Sequence, residues 1–135
     1  MPEMTTGGTV IPAAVVPSVM KTVLHVSSPH PDDQNHAAVN TLNLIGDEAV
    51  YSEGDDVVVL ANGAGVRMFV DTTAAHPEMI ERLADRGVAL RACRNALYGM
   101  GATDDDLLPG VSGVPSGSGE LARLQDDGFG YIKAP

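Results

Sequence analysis

The sequence predicts an α/β fold: a mostly parallel sheet of about five strands with helices on both faces. Three observations carry this. From residue 19 onward, short apolar runs rich in branched residues alternate with stretches of helical spacing. The run Asp56–Ala61 (DVVVLA) is continuously aliphatic after its first residue, as strands covered on both faces are. Prolines and glycines punctuate the units in the expected order, with Pro77 at a first helical position and Gly87 just past a last one.

Residues 1–18 mix Thr, Gly and Pro without a usable period and are expected to form an extended or mobile leader before a single domain over 19–135. Val19–Val26 reads as a buried strand. Ala38, Leu42, Ile45 and Ala49 then recur at helical spacing. After the strand Asp56–Ala61, Asn62-Gly63-Ala64-Gly65 turns the chain into a short helix through about Val70. Met79, Ile80, Leu83 and Ala84 make the apolar stripe of the helix opened by Pro77. Val88–Ala92 is the third strand, followed by a short helix over Asn95–Met100 and a turn over Asp104–Leu107. Val111–Val114 is the fourth strand. Ser116 or Ser118 caps a helix that runs to Asp127 and stops at Gly128, before a last strand at Tyr131–Lys133.

Composition narrows the function. The 135 residues carry a formal charge of −10, with Asp outnumbering Glu and with Lys21 and Lys133 the two lysines. Nucleic acid is excluded as a partner, because phosphate binding needs a basic patch and this surface repels it. No apolar run approaches the roughly 20 residues of a membrane span. Val10–Val19 is apolar, but Pro12 and Pro17 interrupt it and no basic residue precedes it, so it makes a poor signal peptide and the expected location is the cytoplasm. Abundant Asp with scarce Lys suggests a salt-adapted cytoplasm, in which repulsion is screened within a few ångströms. Full stability after dialysis into low salt would contradict that hypothesis. The single cysteine, Cys93, rules out an intrachain disulfide.

Ligands of parallel α/β sheets sit at the carboxyl ends of the strands, so the informative segments are Ser27–Asp33, Asn62–Gly65 and Cys93–Asn95. The first of these, within "SSPHPDDQNHAA", is like the opening of the metal site in zinc-dependent deacetylases of the PIG-L/LmbE type. His30, Asp32, Asp33 and His36 would supply donors, with His76 the one later histidine. A downstream His-x-x-His pair is absent, and Gln34 stands where an acidic residue often follows. The stretch therefore reads as a proline-stiffened loop, with Asp32 or Asp33 capping the next helix, and no metal is assigned. In the second segment, Gly63 and Gly65 are spaced like a nucleotide loop, but Met68 occupies the third glycine position of G-x-G-x-x-G. Tight-turn geometry accounts for these glycines, with Asn62 and Gly63 left as candidate binding positions at the sheet edge.

Cys93 follows a strand and precedes a helix, with Arg91 and Arg94 close in sequence. A helix N-terminus or a guanidinium favours the thiolate and so makes a cysteine nucleophilic, whereas the bland alternative is a small buried residue. The blocks "LADRGVALRACRNALYGMGATDDDLLPGV" and "VPSGSGELARLQDDGFGYIKAP", supported by "MKTVLHVSS" and "VVVLANGAGVRMFV", resemble the DsrE/DsrF-like family, which includes YchN-like proteins and sulfur-relay subunits of the TusBCD type. The resemblance covers about residues 20–135. It implies a three-layer α/β/α fold, homo-oligomers that are commonly trimers or hexamers, and a cysteine loop near a subunit interface. It further implies that Cys93, followed by Asn95, Ala96 and Leu97, matches the position that accepts a persulfide in the relay branch. The chemistry is thiol exchange between donor and acceptor proteins, with no metal and no cofactor. Arg91 and Arg94 are expected to hold the thiolate, and Asn62 and Asn95 to hydrogen-bond the terminal sulfur. The alternative is a non-catalytic, YchN-like binding or assembly module in which Cys93 only fills space.

Overall fold

A computed structural model describes residues 19–135 together with residues 4–6 and 9–11. Strands β1 (Met4–Thr6) and β2 (Thr9–Ile11) pair antiparallel, Met4 opposite Ile11. The expectation of an extended or mobile leader for the remainder of residues 1–18 lies outside the described residues.

The main sheet contains β3 (Lys21–Val26), β4 (Asp56–Ala61), β5 (Ala89–Cys93), β6 (Val111–Val114) and β7 (Gly130–Lys133) in the spatial order β6-β5-β4-β3-β7. Every neighbouring pair is parallel. The chain therefore steps outward from β3 to β6 and then crosses back to lay β7 on the far side of β3. Helices α1 (Pro31–Ile45), α2 (Pro77–Asp85), α3 (Arg94–Gly99) and α4 (Gly117–Asp126) connect the strands, with 3-10 segments at Gly63–Phe69 and Asp104–Asp106.

Strand alternation divides the core by face. Leu24, Val26, Val57, Val59, Ala61, Leu90 and Ala92 pack with Ala37, Ala38, Ile45, Val66, Phe69, Ile80, Leu83 and Leu97 from α1, the Gly63–Phe69 segment, α2 and α3. On the other face Val23, Val58 and Leu60 pack with Leu124 of α4, flanked by Leu121 and Phe129. The result is three layers, helix–sheet–helix, thick on one side and one helix deep on the other. Leu60, Val59 and Val23 are fully buried, which explains why β3 and β4 read as unbroken apolar runs.

Element boundaries shift at several points. Val19 precedes β3 and is 54% exposed, because pairing with β4 begins only at Lys21↔Asp56. Helix α1 ends at Ile45, so Ala49 lies in the turn beyond it. Strand β5 extends one residue further than its apolar pattern, so that Cys93 is both its last residue and the N-cap of α3, which starts at Arg94 rather than Asn95. Of the two serines considered, Ser116 is the cap, its Oγ accepting from the Gly119 amide at 3.1 Å.

The turn after β4 uses its two glycines differently. Gly63 adopts φ +51°, in the left-handed region, and starts the 3-10 segment. Gly65 lies so close to the end of β3 that a Cβ there would sit 2.5 Å from the Val26 carbonyl oxygen and 2.9 Å from Ser27 Cα. Replacing Gly65 with Ala is expected to displace backbone rather than a flexible side chain and to cost about 1–3 kcal/mol, read as a lowered midpoint in urea unfolding with the slope unchanged. An unchanged midpoint would show that this turn tolerates a side chain.

Candidate functional site

The carboxyl ends of β3, β4, β5 and β7 bring together the groups able to do chemistry. Cys93 terminates β5 with an extended backbone and a free thiol, and it is only 7% exposed, packed in the cluster that includes Ala92 and Leu97. Asn62 follows β4. Because Ala61 pairs with Ala92, Asn62 and Cys93 occupy neighbouring positions on adjacent strands about 4.8 Å apart. Helix α4 begins directly against both. A Cβ on its first residue, Gly117, would lie 2.8 Å from Asn62 Cβ and 3.3 Å from Cys93 Cβ, so the missing side chain lets the helix start approach the strand ends. Two helices thus begin at this point, α3 in sequence from Cys93 and α4 in space from Gly117, and their amino ends carry partial positive charge.

His25, near the end of β3, ties this edge to β7. Its Nε2 lies 2.7 Å from Asn62 Oδ1 and its Nδ1 lies 2.7 Å from the Tyr131 hydroxyl. A carboxamide oxygen only accepts, so Nε2 carries the proton, Nδ1 accepts, and Tyr131 donates. Burial holds the His25 imidazole below its ordinary value against the opposing Asn62 hydrogen bond, and the nearby Lys133 ammonium adds to the lowering. Lys133 in turn donates to Ser27 Oγ at 2.6 Å.

The two arginines beside Cys93 are engaged elsewhere. Arg94 forms a forked pair with Asp104, with Nη2–Oδ2 at 2.8 Å and Nε–Oδ1 at 3.1 Å. Its hydrogen bonds raise the Arg94 value and lower that of Asp104. Arg91 points to the α4 face and pairs with Glu120, which also accepts from Arg123 Nε at 3.0 Å and Nη2 at 2.9 Å. The Glu120 carboxyl is held below the usual range first by the Arg123 hydrogen bonds and then by Arg91, against desolvation. Asn95 lies on the exposed first turn of α3. Among the described residues, no hydrogen bond reaches the Cys93 sulfur, and both guanidiniums expected beside it are paired with carboxylates. Of the sequence candidates the structure therefore gathers Cys93 and Asn62, keeps Gly63 as the turn that follows, and directs the Arg94 guanidinium to Asp104 and Asn95 to the surface.

The proline-rich segment has its own explanation. His30 is the N-cap of α1 with no side-chain cap bond, Pro31 opens the helix, and Asp32 and Asp33 lie in the first turn rather than at the cap. The Ser28 hydroxyl donates to Asp33 Oδ2 at 2.6 Å. Among the described residues no three His, Cys, Asp or Glu side chains converge as a metal set. A cleft of about 230 Å³ lined by Asp56, Arg91, Arg123 and Phe129 sits at the amino ends of the strands, away from Cys93.

Sequence comparison bears on the same residues. The family model described as DsrE/DsrF-like matches residues 20–134, which include every group just described. The chain belongs to the DsrE/DsrF-like family. Among solved structures, the fold is similar to the protein of unknown function MTH1491 from Methanobacterium thermoautotrophicum, with 30% identity, a TM-score of 0.76, and coverage of 84% of this chain and 98% of that one. It is also similar in fold to the ychN protein of E. coli, with a TM-score of 0.69 at 15% identity, covering 85% of this chain and 99% of that one. No curated protein matches the sequence. No helix among the described residues of this DsrE/DsrF-like chain is long and apolar enough to cross a membrane.

Sequence reasoning passed over His25, Tyr131 and Gly117. The signal for His25 was present: a polar ring in the otherwise apolar run Val23–Val26. Its two partners lie 37 and 106 residues away, and only the strand order reveals them.

The Arg91–Glu120–Arg123 cluster, which fastens α4 to β5, yields a pH prediction. The folded value of Glu120 lies below the unfolded one of about 4.3, so its contribution is complete above that pH and lost as pH falls through the folded value. Glu120→Gln is expected to destabilise by about 1–2 kcal/mol near neutrality and progressively less in acid. Urea unfolding of both proteins across that range checks this, and a difference independent of pH would contradict it.

Proposed function

We propose that this chain is a sulfur-relay protein, a sulfurtransferase-like carrier that holds a persulfide on Cys93 and passes its outer sulfur to an acceptor. The observation that carries the reading is the place of Cys93, at the carboxyl edge of β5 where α3 and α4 both begin. Helix amino ends favour an anion, and both the thiolate and the persulfide are anions when reactive. Membership of the DsrE/DsrF-like family supports the same reading.

In the loading step the Cys93 sulfur, its proton released to solvent, attacks the outer sulfur of a donor persulfide. A new S–S bond forms on Cys93, the donor S–S bond breaks, and its electron pair leaves with the donor thiolate. Delivery repeats the exchange with Cys93 as leaving group, so no oxidant, metal or cofactor is consumed. The partners of this reading are a donor protein, an acceptor protein and further copies of the chain in a trimer or hexamer, working in the cytoplasm.

One observation favours a second reading. Cys93 is 7% exposed and both neighbouring arginines are paired with carboxylates, as suits a non-catalytic binding or assembly module of YchN-like type. The two separate in one experiment: incubation with a cysteine desulfurase and cysteine, followed by intact mass measurement. The relay reading expects a gain of about 32 Da on the wild type, removed by reductant and absent from Cys93→Ser. No gain, or an equal gain on the variant, would favour the binding module.

A further inference from the structure

We propose that the open cleft between the start of α1 and the 3-10 segment Gly63–Phe69 is a binding site for a small organic anion. Arg67 pairs with the oxyanion, and Gln34 accepts a hydrogen bond from a neighbouring N–H or O–H of the same molecule. The cleft holds about 620 Å³ and is lined by Pro29, Pro31, Gln34, Arg67, Thr73 and Met100. Small-molecule pockets span roughly 300–1,000 Å³. Its walls come from the connections that leave the carboxyl ends of β3, β4 and β5, the side of a parallel sheet on which ligands bind. Cys93 does not line it, so the inference stands apart from the sulfur chemistry.

The chain carries 18 acidic residues and a formal charge of −10, yet no carboxylate lines this cleft. Arg67 is exposed, and among the described residues it makes no ion pair, whereas Arg91, Arg94 and Arg123 are all held by carboxylates. Its forked donors are thus left for a carboxylate or a phosphate. Gln34 supplies the second group. It is 4% exposed, and its Nε2 donates to the Ser28 carbonyl at 2.9 Å. A carbonyl only accepts, so this bond fixes which end of the carboxamide is nitrogen and leaves Oε1 as an acceptor. Among the described residues no buried side-chain nitrogen or oxygen lacks a partner and nothing donates to Oε1, so this oxygen reaches an opening that Gln34 lines. The opening toward α2 holds about 10 Å³, room for a single water at most. The other is the cleft. Its rim is preorganised: the Thr73 hydroxyl donates to the Arg67 carbonyl at 2.8 Å, the Ser28 hydroxyl engages Asp33 Oδ2 at 2.6 Å, and the rings of Pro29 and Pro31 fix their φ angles. The two rings and Met100 offer apolar surface to the body of the ligand.

The test titrates the full chain with two probes, each carrying an oxyanion and an N–H donor: N-acetyl-leucine for a carboxylate and N-acetylglucosamine phosphate for a phosphate. Amide NMR shifts follow the binding. At least one probe is expected to saturate with a Kd of about 1 mM or tighter, with shifts at Gln34, Arg67 and Thr73, and the one that binds identifies the oxyanion. The uncharged counterparts, N-acetyl-leucine amide and N-acetylglucosamine, are expected to bind at least about tenfold more weakly. Arg67→Gln is expected to weaken the bound probe about tenfold, and Gln34→Met, which keeps the volume and removes the acceptor, about threefold. Arg86→Gln, at an exposed arginine that likewise makes no ion pair among the described residues, should leave the affinity unchanged. Failure of both probes to saturate, shifts confined to other residues, an uncharged counterpart as tight as its anion, or equal loss in the two arginine variants would overturn the proposal. So would wild-type affinity in Arg67→Gln or Gln34→Met. If Gln34→Met does not fold, the two surface arginine variants and the uncharged counterparts still decide.

Discussion

The pairing of β4 with β5, Ala61 opposite Ala92, is the interaction on which the site depends. Side chains alternate along a strand with a period of two, so a slip of one residue would turn Asn62 and Cys93 to opposite faces and set core side chains against the wrong layer. The register is held by burial on both sides: Val57, Val59 and Ala61 toward the helix-rich face, Val58 and Leu60 toward α4. Core packing thus aligns Asn62, half-buried at the sheet edge, with Cys93, itself a member of the core.

The uneven dress of the sheet has a functional side. Four helical segments cover one face, whereas α4 alone crosses the other to bring the chain back to β7. That return places Tyr131 and Lys133 next to β3 and seats the first turn of α4 over Asn62 and Cys93. The Arg91–Glu120 pair fastens the helix to β5 from the same side, and Arg123 braces Glu120 within the helix. A Cβ at position 117 would lie 2.8 Å from Asn62 Cβ and force this arrangement apart, so Gly117 belongs to the geometry of the site.

The strands of the sheet were legible because central parallel strands are aliphatic throughout, and Asp56–Ala61 shows this directly. The ends of elements were less so: Val19 is as apolar as its neighbours yet has no strand to pair with, and Ala49 continues a helical period that Gly46 has already ended. Cys93 and Asn62 could be chosen by their places after strands. The roles of their neighbours could not, since Arg94 finds Asp104 ten residues on and Arg91 finds Glu120 twenty-nine residues on, and proximity in sequence suggested the thiol instead. His25 was hidden for the same reason, its partners being supplied by β4 and β7.

Cys93 is almost wholly enclosed beside Asn62 and the starts of α3 and α4, and the proposed relay reading asks that this setting hold a small anionic sulfur cargo. The decisive measurement is a crystal structure of the protein after treatment with glutathione persulfide. Density for one further sulfur about 2.05 Å from Cys93 Sγ is the predicted result. An unmodified sulfur, closed in by Leu97 and the start of α4, would contradict it.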